Sequence, residues 1–139
     1  MKYLGLDLGS RTLGVAISDE MGILARSYDT FRFRDDDYDL AASYVVDVCN
    51  KEKINTVVLG LPKHMNGDLG QRCDISFEFK KKLEELANLN VILMDERLTT
   101  VIVDKTMIMG NVRRKDRKAK KDEMAAVVIL QNYLDRISF

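Results

Sequence analysis

The chain has 139 residues, 46% of them hydrophobic, which suits a single domain over residues 1–139 with a sizeable core. Its 22 basic and 22 acidic residues cancel, so no bulk positive charge marks a polyanion binder, and any nucleic-acid face has to come from segregated charge. The widely spaced Cys49 and Cys73 and the lone His64 give no zinc-ligand spacing, and no run approaches the roughly 18 apolar residues of a membrane span, so a soluble, cytoplasmic protein without membrane contact is expected.

Residues 3 to 8 alternate, with Leu4, Leu6 and Leu8 on one face and Tyr3, Gly5 and Asp7 on the other. This predicts a strand carrying a carboxylate near its end. Gly9, Ser10 and Arg11 supply a turn, and Leu13 to Ser18 and Ile23 to Phe33 continue an antiparallel meander. Asp35, Asp36 and Asp37 read as the acidic start of a helix, whose Ala41, Tyr44, Val45 and Val48 form one buried stripe ending near Lys51. Thr56 to Gly60 has the continuous apolar, β-branched pattern of a strand covered on both faces. Pro62, Gly67 and Gly70 then mark a long loop whose amides are a weak candidate phosphate contact.

Ile75, Phe79, Leu83 and Leu86 predict a second amphipathic helix, and Val91 to Met94 another buried strand ending in Asp95-Glu96. Thr99 or Thr100 caps a further helix reaching Met109, with Gly110-Asn111 as its stop. Residues 113 to 121 are a charge run ahead of a final helix carrying Met124 to Leu134. Strands first, then strands alternating with helices, describe an α/β protein with a mixed sheet flanked by helices.

Phosphodiester chemistry at neutral pH is helped by hard cations, and these prefer carboxylate oxygens. Sites in open α/β sheets form beyond the carboxyl ends of parallel strands, and Asp7 and Glu96 both end strands expected to be central. Asp122, Ala126, Ile129 and Tyr133 share one helical stripe facing the sheet, which makes Asp122, as a first-turn residue, the third candidate. Each acid also has a bland reading: a turn cap, a surface ion pair or a helix-start acid. The pattern leaves Asp95 open against Glu96, and Glu123 against Asp122.

Four blocks then carry a resemblance over nearly the whole chain: residues 7–16 (Asp-Leu-Gly-Ser-Arg-Thr-Leu-Gly-Val-Ala), 60–67 (Gly-Leu-Pro-Lys-His-Met-Asn-Gly), 95–100 (Asp-Glu-Arg-Leu-Thr-Thr) and 121–126 (Lys-Asp-Glu-Met-Ala-Ala), the last followed by Ile129 to Leu134. The chain resembles the YqgF-type, RuvX-like family of Holliday-junction-resolvase-like proteins, also called pre-16S rRNA nucleases, of the RNase H-like superfamily. The resemblance implies an RNase H-like fold with a five-stranded sheet, antiparallel first and then parallel. It implies a Mg²⁺- or Mn²⁺-dependent nuclease with catalytic and metal-binding acids at Asp7, Glu96 and Asp122. It also implies 5′-end processing of the small-subunit ribosomal RNA precursor, with junction resolution in DNA recombination as the alternative.

From Arg113 to Lys121, seven of nine residues are basic. Arg113, Arg114, Lys115, Arg117, Lys118, Lys120 and Lys121 are therefore candidate phosphate contacts, as are Arg11 and Arg97 beside the proposed ligands. The partner expected is a ribosomal RNA precursor or branched DNA, with a ribosomal particle as a further candidate, and either monomer or homodimer fits. Two rivals stand against the nuclease. One is a non-catalytic nucleic-acid-binding regulatory factor. The other is a sugar kinase or actin-like ATPase, suggested by Asp-Leu-Gly-Ser at a strand end but opposed by length, since those folds close two such domains on a nucleotide.

Overall fold

The computed structural model describes residues 1–61, 71–95 and 114–137, with the backbone alone for 71–73, 95 and 114–123. The alternation at the N-terminus forms β1 (Leu4–Leu8), followed by β2 (Thr12–Ser18) and β3 (Ala25–Arg32). β1 and β2 pair antiparallel, with Leu4 opposite Ile17 and Asp7 opposite Gly14. β2 and β3 also pair antiparallel. Val15 faces Asp29 and Ala16 faces Ser27, so Tyr28 is the extra residue of a bulge. The third strand starts at Ala25 rather than at Ile23, because the Asp19 carboxylate accepts from the Ile23 amide (2.7 Å) and the Leu24 amide (3.1 Å) and keeps both in the hairpin turn.

α1 (Tyr38–Glu52) is capped by Asp37, whose side chain accepts from the Leu40 amide, and stops at Lys53 in the left-handed conformation. Its buried face is Ala41, Ala42, Val45, Val48 and Cys49. Tyr44 lies half-buried at the margin of that face, stacked on Phe31 at 4.1 Å. β4 (Thr56–Leu61) pairs parallel with β1, with Leu6 opposite Leu59. α2 (Gln71–Ala87) buries Phe79 and Leu83, but Leu86 is 59% exposed. In that last turn the stripe passes instead to Ala87, which packs on the core.

β5 (Asn90–Asp95) pairs parallel with β4, and α3 (Arg114–Ile137) closes the described chain. The strand order is β3-β2-β1-β4-β5. β1 is therefore central as expected, whereas β5 is the outer strand of the described sheet rather than a central one. Its apolar run is explained by cover on both faces: Val91 joins the core beneath α1 and α2, and Met94 the core beneath α3.

The two faces have different packing. Leu4, Leu6, Leu13, Val15, Ile17 and Leu59 meet α1 and α2, while Ala16, Val58 and Met94 meet Ala126, Ile129, Leu130 and Leu134 of α3. α3 also corrects a boundary. Its backbone is helical from Arg114, so the charge run from Arg114 to Lys121 lies inside the helix, and Asp122 sits about two turns in rather than in the first turn. Lys, Arg and Ala are good helix formers, so a run without hydrophobic periodicity still propagates the helix. The expected loop over 62–70 and the helix expected from Thr99 or Thr100 to Met109 lie outside the described residues.

Candidate functional site

Strand alternation puts Tyr3, Gly5 and Asp7 on the side of the sheet that α3 covers. Two contacts fix how α3 runs over β1. Tyr3 packs edge-on against Tyr133, with ring centroids 5.8 Å apart. A methyl group added at Gly5 would stand 2.6 Å from Leu130 Cβ and 2.9 Å from the Ala126 carbonyl oxygen. Going up β1 from Tyr3 to Gly5 therefore means going back along α3 from Tyr133 toward Ala126, so helix and strand run antiparallel. Glycine is required at position 5 because the Leu130 Cβ and the Ala126 carbonyl, neither of them a movable side-chain tip, occupy the space a Cβ would need.

Asp7 lies two residues beyond that contact. It is half-buried, opposite Gly14 of β2, and among the described residues no hydrogen bond or ion pair engages its carboxylate. The turn after it closes without its help, through the Gly9 amide donating to the Thr12 carbonyl at 2.7 Å, so the turn-cap reading of Asp7 is not what the structure shows. On its other side the parallel register with β4 ends at Leu6 opposite Leu59, one residue before Asp7. Gly14, the cross-strand partner of Asp7, carries no side chain to crowd the carboxylate.

The expected site residues fall unevenly within the described parts. Asp122 lies on the α3 backbone one turn before Ala126, with its side chain outside the description. Glu96 follows the last residue of β5, and Glu96, Arg97 and Arg113 lie outside the described residues. Arg114, Lys115, Arg117, Lys118, Lys120 and Lys121 occupy the first turns of α3 as backbone positions. Among the described residues no group of three acids, histidines or cysteines could hold a metal ion, and the described part of the candidate cluster is Asp7.

Arg11 sits in the turn between β1 and β2, with its side chain 73% exposed. Its Nε donates to Asp35 Oδ1 and its Nη2 to Asp35 Oδ2 at 3.3 Å. The adjacent carboxylate pushes the guanidinium pKa still higher. This pair, across 24 residues of chain, is not signalled by the sequence, in which Asp35 reads with Asp36 and Asp37 as a helix start. Cys49 is buried, and desolvation pushes its thiol up to about 11, in line with a structural role. Among the described residues no helix is long and apolar enough to cross a membrane.

A mixed sheet with a central acid-bearing first strand, a following antiparallel meander, parallel β4 and β5, and a C-terminal helix laid across β1 defines an RNase H-like α/β protein. Solved structures with this fold include Thermus thermophilus RuvC in complex with Holliday junction substrate (TM-score 0.63, 12% identity, covering 99% of this chain and 96% of that one). The fowlpox virus Holliday junction resolvase is another (TM-score 0.56, 18% identity, 98% and 99%). The chain belongs to the RuvX family, described as Holliday junction resolvase, whose family model matches residues 1–136. Curated relatives in Staphylococcus aureus, strains JH9 and JH1 among them, carry the name "Putative pre-16S rRNA nuclease". They are 44% identical over 137 residues, covering 98% of this chain and 96% of theirs. A ROK hexokinase from Thermus thermophilus shares the fold over 78% of this chain and 38% of its own (TM-score 0.51, 19% identity).

Proposed function

We propose that this chain is a metal-dependent nuclease, with residues 1–139 as one catalytic domain and Asp7, Glu96 and Asp122 as the acids that hold a divalent cation, Mg²⁺ or Mn²⁺. The observation that carries the reading is the antiparallel run of α3 over β1. Asp7 lies about 6.6 Å beyond Gly5 along the strand, and Asp122 about 6 Å back from Ala126 along the helix. Gly5 lies against Ala126 and Leu130, so these two steps lead in one direction. For the third acid, Glu96 is taken over Asp95 on the family resemblance carried by residues 95–100.

The donor set fits the group. Three carboxylates offer hard oxygen ligands of the kind Mg²⁺ and Mn²⁺ prefer, and Asp7 stands opposite Gly14 with no partner to displace among the described residues. A divalent cation, when bound, supplies Lewis-acid stabilisation of the charge that develops on the phosphate oxygens and on the leaving group. The chain's own residues do the rest. The carboxylates would hold that cation in place, and Arg11, Arg97, Arg113 and the basic positions of α3 would hold flanking phosphates, which gives affinity without sequence readout.

The substrate we propose is the precursor of small-subunit ribosomal RNA, processed at its 5′ end in the cytoplasm, on the strength of the name its 44% identical relatives carry. The family description favours a second reading, resolution of DNA junctions. Junction resolution needs two symmetric cuts and hence a two-fold dimer, whereas end processing needs one protomer. The test is cleavage of both substrates by purified protein in Mg²⁺ and in Mn²⁺. Asp7→Asn and Glu96→Gln are expected to lose activity by at least about 10²-fold, the scale of losing transition-state charge stabilisation. Undiminished cleavage by both variants removes the assignment.

A further inference from the structure

We propose that Arg11 and the turn that carries it form a phosphate-binding subsite, and that Asp35 fills this subsite in the free protein as a carboxylate stand-in for the phosphate. The inference rests on the reading that the chain binds nucleic acid; it does not depend on the metal. A guanidinium presents a planar fork of donors that matches two oxygens of a carboxylate or of a phosphodiester alike. Asp35 takes up that fork with both of its oxygens. Both side chains are mostly in water, 73% and 65% exposed, so the pair contributes little to the fold and is open to exchange with another anion.

Asp35 reaches the fork from a rigid mount. The Phe33 amide donates to the Arg11 carbonyl and the Asp36 amide to the Ser10 carbonyl, both at 2.9 Å, which stitches residues 33–36 to the β1–β2 turn. Asp36 holds a positive φ of 59°, and Asp37 is spent on capping α1. Asp36 accepts from the Tyr38 hydroxyl at 3.0 Å. Of the three consecutive acids, the helix start therefore uses Asp37, a local bond uses Asp36, and Asp35 crosses to Arg11.

The place is right for a flanking phosphate. Arg11 is four residues from Asp7, within about 14 Å even if that chain were fully extended, and the phosphates of one strand recur about every 3.4 Å of helix axis. A strand whose reacting phosphate lies at Asp7 thus has another phosphate within reach of the Arg11 fork, and its arrival displaces Asp35. Binding then carries the cost of breaking the resident pair, which is paid back where a phosphate sits on the fork.

The test is a double-mutant cycle on the full chain, read by fluorescence anisotropy of labelled single-stranded RNA and of a four-way DNA junction, in EDTA at low and moderate salt. Asp35→Asn is expected to tighten binding by about three- to tenfold, and Arg11→Ala to weaken it. Asp35→Asn in the Arg11→Ala background is expected to add no more than Asp36→Asn, which removes the same charge one residue away. Equal gains from Asp35→Asn with and without Arg11, or equal gains from Asp35→Asn and Asp36→Asn in the wild-type background, overturn the proposal while leaving the nuclease reading intact. Failure of the wild-type chain to bind either nucleic acid overturns that reading and this inference with it. Thermal melts of each variant verify that the exposed substitutions leave the fold in place.

Discussion

Gly5 is the residue on which the depth of α3 depends. Replacing it with alanine drives a methyl group to 2.6 Å from Leu130 Cβ and 2.9 Å from the Ala126 carbonyl oxygen, so either helix or strand has to shift. The expected result for Gly5→Ala is a loss of about 1–3 kcal/mol, the usual cost of overpacking, read as a lower urea midpoint with unchanged m-value. A neutral result would mean that α3 rides higher over β1 than described. Asp19 makes a second claim at this scale. Its carboxyl is held below the usual range by the amides of Ile23 and Leu24. A depressed folded-state pKa means the stabilisation is present above the unfolded value and is lost as pH falls through the folded one. The stability gap between wild type and Asp19→Ala is therefore expected to be full at neutral pH and to close below about pH 4, as followed by urea titrations at several pH values. The face on which Asp7 lies was legible in the sequence because a two-residue period needs no tertiary information. The Arg11–Asp35 pair was not, because nothing local ties residues 24 apart.

The element that departed most from the sequence reading is α3. Hydrophobic periodicity marks its buried stripe, and Ala126, Ile129, Leu130 and Leu134 are indeed at or near zero exposure. Periodicity ends where the lysines and arginines begin, so pattern alone set the boundary near residue 122. The backbone instead continues to Arg114, since long basic side chains lose little rotamer freedom in a helix. This turns the basic run from a tail leading to Asp122 into a rod continuous with it. Ala119→Pro is then expected to break that rod, at a cost of about 3 kcal/mol in local helix stability. The predicted consequence is weaker nucleic-acid affinity and lower helical circular dichroism, with Ala119→Ser near wild type as the control. If the proline variant kept full affinity and helicity, the continuous helix would be wrong. β5 was misplaced for a related reason: an apolar run reports cover on both faces and cannot report which neighbour lies on each edge.

For the whole molecule, formal neutrality hides segregation. Positive charge gathers in residues 113–121 of a chain whose basic and acidic residues balance. Binding is expected to weaken steeply with salt despite a net charge of zero, with log Kd rising by about 0.7 to 0.9 per phosphate contacted for each tenfold change in salt. Paired substitution of Lys120 and Lys121 by Gln should lower that slope by about 1 to 2, measured by salt-titrated anisotropy. An unchanged slope would remove these lysines from the interface. The α/β class, the antiparallel meander and a mixed sheet were readable from the alternation of elements, whereas the antiparallel-then-parallel order of five strands and the choice of Glu96 and Asp122 over their neighbours came from the family resemblance. The central claim is that Asp7, Glu96 and Asp122 form one cation site, and its most direct test is the anomalous scattering of Mn²⁺ in crystals of the wild-type chain. The account predicts Mn²⁺ density contacting all three carboxylates and lost in Asp7→Asn. Saturating Mn²⁺ with no ion on Asp7, or with the three carboxylates too far apart to share one site, would contradict it.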